Sequence, residues 1–302
     1  MQRFHFSLTF LTASFWLLIN SVSALALPVA PINDLNFEPW LQPTSKFKNY
    51  VEVDTETYDF EGIVKLSGCS GSLVQFEGQA DTDKALMLTN GHCLDSGFVK
   101  PGEVVVNKVV TTKFKLFKKF VDAKPELYPI QATKIIYATM TKTDVALYEL
   151  SETYREIFER TKVAPLTLSK NAPATSTEIE IISGYWSRGY SCEIDGIVHE
   201  LQEAGWKWKN SLRYSEVGCD TIGGTSGSPI LEKGTRTVIG INNTGNEDGE
   251  RCSMNNPCEV DENGQVTVTK GASYGQNTFW FYSCLDKNFK LNLELDNCQL
   301  PK

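Results

Sequence analysis

The chain has 302 residues, 22% charged and 41% hydrophobic, proportions that fit a folded globular protein of one or two domains and exclude a disordered or fibrous chain. Asp and Glu outnumber Lys and Arg by 37 to 29, the wrong sign for a duplex nucleic-acid partner, whose phosphates call for clustered cations. Eight cysteines and three histidines make the compartment the first question, because it decides whether the thiols are staples or metal ligands.

In chain order, Arg3, the apolar run Leu8 to Ile19 and the small residues Ala24-Leu25-Ala26 have the layout of a secretory signal peptide over 1–26. A run of twelve residues is short of the roughly 20 that span a bilayer, which disfavours a retained anchor. The expectation is a secreted or periplasmic protein, free of the membrane after cleavage. Export leaves 28 basic residues against 37 acidic ones, a net charge of about −9, and two histidines, His92 and His199. All eight cysteines lie beyond residue 26, in a compartment that favours disulfides.

Residues 27–57 carry Pro28, Pro31, Pro39 and Pro43 without a sustained period, and read as a leader or propeptide arm. Short β-rich runs divided by turns fill 58–150, a first barrel-sized set. Residues 151–165 hold a helical linker, with Ser151 as its expected N-cap and Tyr154, Ile157 and Phe158 on one side. A second β-rich set occupies 166–302 and ends in a C-terminal extension. The fold class is all-β. Two segments, Lys113 to Phe120 (KFKLFKKF) and Trp206 to Lys209 (WKWK), alternate rings and cations. That could line a nucleic-acid groove, but it is also how a half-buried strand turns rings inward and ammonium groups to water, the reading favoured in an acidic chain. Asn246 to Gly264 is acidic and turn-rich yet lacks EF-hand spacing. No metal or cofactor set is expected.

Three segments carry chemistry. Thr89-Asn90-Gly91-His92-Cys93 closes an apolar run and puts an imidazole where a strand meets a turn, a place for a general base with a pKa near neutrality. Asp144 opens the apolar run Val145-Ala146-Leu147, where burial beside an imidazole would fix its tautomer; alone, Asp144 reads more readily as a turn residue. Gly223-Gly224-Thr225-Ser226-Gly227-Ser228-Pro229 lets the backbone wrap one hydroxyl, so that neighbouring N–H groups can meet an acyl oxyanion. The order His92, Asp144, Ser226 differs from the Ser, acid, His order of α/β-hydrolases, and Gly224 to Ser228 lacks the final glycine of their G-x-S-x-G elbow. His199-Glu200-Leu201-Gln202-Glu203 ends in glutamate where a zinc peptidase needs histidine, so His199 reads as a strand residue.

On these motifs the sequence resembles the chymotrypsin-like serine peptidases, especially their bacterial trypsin-like and glutamyl-endopeptidase-like branches, over about 58 to 282. The resemblance implies two six-stranded antiparallel β-barrels with the active site in the cleft between them. It makes His92 the general base, Asp144 its orienting acid and Ser226 the nucleophile, with the oxyanion hole at the N–H groups of Gly224 and Ser226. It pairs Cys69 with Cys93. Asp220 stands six residues before Ser226, where trypsin-like members keep the carboxylate that binds Arg or Lys; a structural hydrogen-bonding role is the alternative. Gly245 is a candidate for the glycine at the pocket entrance. Two positions depart from the pattern. Thr225 replaces the aspartate that in trypsin-like zymogens binds a freed amino terminus, and Asn242 stands where glutamate-cleaving relatives place a histidine.

Position suggests Cys192 with Cys219 behind the serine loop, and among the rest Cys252 with Cys258 and Cys284 with Cys298. Asn242-Asn243-Thr244 matches a glycosylation sequon at the expected cleft strand, and reads as chance. The function expected is an exported, monomeric serine endopeptidase acting on peptide or protein substrates, with a preference for Arg or Lys before the scissile bond. The alternatives are a protease-like binding module without catalysis, and the same triad acting on esters.

Overall fold

The computed structural model describes residues 58–302 apart from 122–123 and 215–217, and no side chain between 119 and 124. The expected signal peptide and the whole leader or propeptide arm lie outside the described residues. The strands of the first half are β1 (Ile63–Lys65), β2 (Ser70–Phe76), β3 (Lys84–Thr89), β4 (Val104–Val109), β5 (Lys113–Val121), β6 (Lys124–Thr139) and β7 (Val145–Thr153), of which β2 and β3 are buried on both faces and β5 alternates. Phe114 and Leu116 of β5 are buried while Lys113 and Lys115 are exposed, so this segment is a half-buried strand.

Six of these strands close on themselves in the order β1–β5–β6–β7–β3–β2–β1, all antiparallel, and β4 pairs with the far end of β6. A closed barrel leaves no unpaired edge. A second barrel follows, from β9 (Glu178–Ser183), β10 (Arg188–Glu203), β11 (Trp206–Tyr214), β12 (Pro229–Glu232), β13 (Thr237–Gly245) and β16 (Ser273–Asn277). It closes in the order β13–β12–β9–β10–β11–β16–β13, again antiparallel. Both six-stranded barrels agree with the expected architecture. Short β14 (Cys258–Val260) and β15 (Val266–Thr267) extend β10 outward.

Two elements differ from expectation. The helix α1 (Tyr154–Thr161) is capped by Thr153 and not by Ser151, because β7 keeps pairing with β3 as far as Thr153. Thr153 accepts from the Glu156 N–H while Glu156 reaches back to Thr153, a reciprocal cap. After it, β8 (Leu166–Leu168) pairs in parallel with β2 of the first barrel and β13 of the second. Two of its three residues, Leu166 and Leu168, are buried, so a three-residue strand carries one barrel's ladder into the other.

Four disulfides join Cys69–Cys93, Cys192–Cys219, Cys252–Cys258 and Cys284–Cys298, and no cysteine among the described residues is free. Four bridges fit an extracellular or periplasmic protein.

Candidate active site

The site is assembled from the ends of three strands. β3 ends at Thr89, and Gly91–Cys93 then makes one tight 3-10 turn. Gly91 is required there: a Cβ would run into the carbonyl of Thr139 at the end of β6. The turn presents His92 to Asp144, which stands just before β7. Asp144 is fully buried. Its Oδ1 accepts the His92 backbone N–H at 3.1 Å and its Oδ2 meets His92 Nδ1 at 2.8 Å, while Asn90 donates to the Asp144 carbonyl at 2.8 Å. An ionised carboxylate only accepts, so Nδ1 carries the ring proton and Nε2 is left with a lone pair. Burial lowers the imidazole pKa, but the charge and hydrogen bond of Asp144, with a smaller pull from Glu203, outweigh it and the pKa is raised.

The serine comes from the second barrel. Gly224 and Gly227, on either side of it, have φ of +91° and +79°, a region glycine enters without penalty. At Gly227 a Cβ would also strike the Ser70 carbonyl and the Thr89 hydroxyl of the first barrel. Hydrogen bonds from Ser228 N to Thr225 O, from Gly227 N to Asn242 O and from Ser70 N to Ser226 O fix the loop. Ser226 Oγ donates to the Asn243 carbonyl at 3.1 Å, and no hydrogen bond joins it to His92. The N–H groups of Gly224 and Ser226 donate to no acceptor among the described residues.

His92, Asp144 and Ser226 line one pocket with Phe98, Trp206, Ile222, Asn243, Gly245 and Glu203, among others. Gly245, at the end of β13, is therefore in the wall. Asp220 is not: it is exposed, while its neighbours Thr221 to Gly223 line the pocket. Cys219, just before it, is buried in its bridge to Cys192. Asn242 also lines the pocket and is buried. His199 is an exposed residue of β10, 4.0 Å from Glu262. Among the described residues the one cluster with metal-ligand atoms in reach, Cys69, His92 and Cys93, has both sulfurs in a disulfide. Sequence reasoning missed Glu203, which ends β10 on the same face as buried Leu201. An acidic residue at an inward position of an alternating strand was the available signal.

Among solved structures, the chain is similar to the MamO protease domain from Magnetospirillum magneticum, at 12% identity and a TM-score of 0.44, covering 76% of this chain and 97% of that one. It is also similar to the protease Anisep from Arthrobacter nicotinovorans, at 15% identity and a TM-score of 0.43, covering 74% and 92%. A third similar structure is a Nocardiopsis protease, at 14% identity and a TM-score of 0.37, covering 72% and 91%. No curated protein matches the sequence. The family model described as trypsin-like peptidase domain matches residues 69–241, more than half of the chain, and the chain belongs to that family.

Proposed function

We propose that the protein is an exported serine endopeptidase that hydrolyses peptide bonds through an acyl-enzyme on Ser226. The observation that carries this reading is the single pocket holding Ser226 and the His92–Asp144 pair, joined at 2.8 Å. His92 Nε2 takes the serine proton as Oγ attacks the scissile carbonyl, then returns it to the leaving amine. Asp144 holds the tautomer and stabilises the imidazolium. The unpartnered N–H groups of Gly224 and Ser226 support their assignment to the oxyanion hole. Because Ser226 Oγ points to the Asn243 carbonyl, the attack requires the hydroxyl to turn toward His92. We assign export to residues 1–26, the two barrels to 58–150 and 166–302, and the connecting helix to 151–165.

Cleavage beside Arg or Lys is supported by the charge of the pocket. Its lining holds Asp144, Glu203 and Glu247 and neither Lys nor Arg. The second reading, a protease-like binding module, draws on the orientation of Ser226 Oγ away from His92. One experiment separates the two. A fluorophosphonate should label the mature protein once per chain, on Ser226 by peptide mass spectrometry, and Ser226→Ala should lose both the label and peptide hydrolysis. A folded protein that takes no label and cleaves nothing in a broad peptide library is the binding module. Labelling with turnover of esters only identifies an esterase.

A further inference from the structure

Glu203 is an acid that the triad does not use. It is 4% exposed, yet it lines the same pocket as His92. One carboxylate oxygen, Oε1, accepts the Asn255 N–H at 2.8 Å, while Oε2 is buried with no hydrogen-bond partner. A carboxylate left half satisfied away from water is destabilising unless a donor or cation reaches it. Burial pushes the Glu203 carboxyl up, and Thr244, the Asn255 N–H and His92 pull it back. None of these supplies a full counter-charge held in contact, and the lining includes neither Lys nor Arg.

The walls beside this acid are aromatic. Phe98, half exposed, packs edge-on to His92 with centroids 5.9 Å apart and to Trp206 at 5.7 Å, and Trp206 is fixed by its Nε1 donating to the Val99 carbonyl at 2.9 Å. Met254, also exposed, lines the same pocket. Rings and a thioether suit the methylene stem of Lys or Arg, and ring faces attract its head group.

We propose that Glu203, with Phe98 and Trp206, forms a subsite beside His92 that takes the cationic side chain of a substrate residue flanking the scissile bond, so that Glu203 and not Asp220 is the carboxylate that reads substrate charge. This rests on the peptidase reading above. Glu203 Oε2 accepts from the substrate's ammonium or guanidinium, and the pair is shielded by the rings. Asn255 keeps its bond to Oε1, so the wall need not rearrange.

The test is kcat/KM on matched peptides carrying Lys or its neutral isostere norleucine at each of four positions before the scissile bond and two after it. The wild-type enzyme should favour Lys at one position by about 30-fold, the lower end for a buried charge pair. Glu203→Gln, which keeps an oxygen for the Asn255 N–H, should reduce that ratio to about twofold, and Asp220→Ala should keep it. Equal rates for Lys and norleucine at every position in the wild type overturn the proposal without any variant, while fluorophosphonate labelling of the same sample leaves the peptidase reading standing. A ratio that survives in folded Glu203→Gln, checked by thermal melting, or that disappears in Asp220→Ala, also overturns it. If Glu203→Gln does not fold, Glu203→Asp, which withdraws the carboxylate by one methylene, should lower the ratio and leave Lys favoured; an unchanged ratio there overturns the proposal.

Discussion

His92 is held between opposing influences, and their balance sets where the protein can work. Burial disfavours the imidazolium, whereas Asp144 at 2.8 Å and, more weakly, the Glu203 charge favour it, leaving the pKa raised. Only the neutral imidazole can accept the Ser226 proton, so activity should rise with pH through that pKa. Removing a negative neighbour makes the imidazolium less stable, lowers the pKa, and moves the acidic limb of kcat/KM to lower pH. Glu203→Gln should therefore shift that limb down relative to the wild type, measured with a norleucine peptide so that substrate charge does not enter. An unmoved or upward-moving limb means the two groups are electrostatically independent. At this scale the sequence shows His92, Asp144 and Ser226 because each sits in a motif whose local conformation is dictated by glycines or by the mouth of a strand. It does not show Glu203, whose relation to His92 arises only when the β10–β11 hairpin lies across the first barrel's turn. Asp220 marks the opposite limit: counting back from a motif assumes a register, and Asp220 is exposed while the three residues after it line the pocket.

The turn that carries His92 is tied at both ends. Cys69 lies just before β2 and Cys93 closes the 3-10 turn after β3, so their bridge spans 24 residues of sequence that contain both strands. Opening it returns loop entropy to the unfolded chain, worth about 3 kcal/mol for a loop of this length in the chain-entropy model. The double variant Cys69→Ala/Cys93→Ala should be less stable by about that amount in urea titration. It should also react more slowly with fluorophosphonate, because His92 is the residue directly inside the bridge. A loss of stability with an unchanged labelling rate would show that the β3–β7 and β6–β7 ladders alone hold the base. β5 is legible beforehand because its alternation is strict, and β3 because it is a short continuous apolar run. The three-residue β8 is not, because a single Leu166-Thr167-Leu168 alternation is too short to mark a strand and says nothing of its parallel pairing to two different barrels. The helix is legible in position but shifted at its start, since a strand ladder extended to Thr153 outcompetes an earlier cap.

Across the whole molecule the groups proposed for catalysis come from different barrels, so the relative placement of the barrels is itself part of the candidate site. The paired barrels follow from two β-rich sets divided by one helix, whereas some of the contacts that join them, beside the β8 ladder, are single polar groups with no sequence signature. Ser70 is one of them. It belongs to β2 of the first barrel and is fully buried, and its N–H donates to the Ser226 carbonyl at 2.8 Å. Its hydroxyl meets the Ser183 hydroxyl at 3.1 Å, donates to the Gly224 carbonyl at 3.2 Å and accepts the Tyr185 N–H at 3.1 Å. Its carbonyl accepts from Thr89, the last residue of β3 before the His92 turn, at 2.7 Å. One residue thus touches the strand behind the base, the serine loop and the end of β9. Ser70→Ala keeps the backbone bonds and removes the hydroxyl, leaving the Tyr185 N–H and the Gly224 carbonyl short of a partner. The cost should be about 1–3 kcal/mol for buried polar groups left unsatisfied. Its functional signature should differ from that of a catalytic residue. Gly224 carries one of the two N–H groups assigned to the oxyanion, so losing its anchor should lower kcat and the fluorophosphonate labelling rate while KM changes little, and the pH limb set by His92 should stay in place. A variant that melts lower but labels at the wild-type rate would reduce Ser70 to a stabilising contact and leave the serine loop fixed by its own backbone hydrogen bonds.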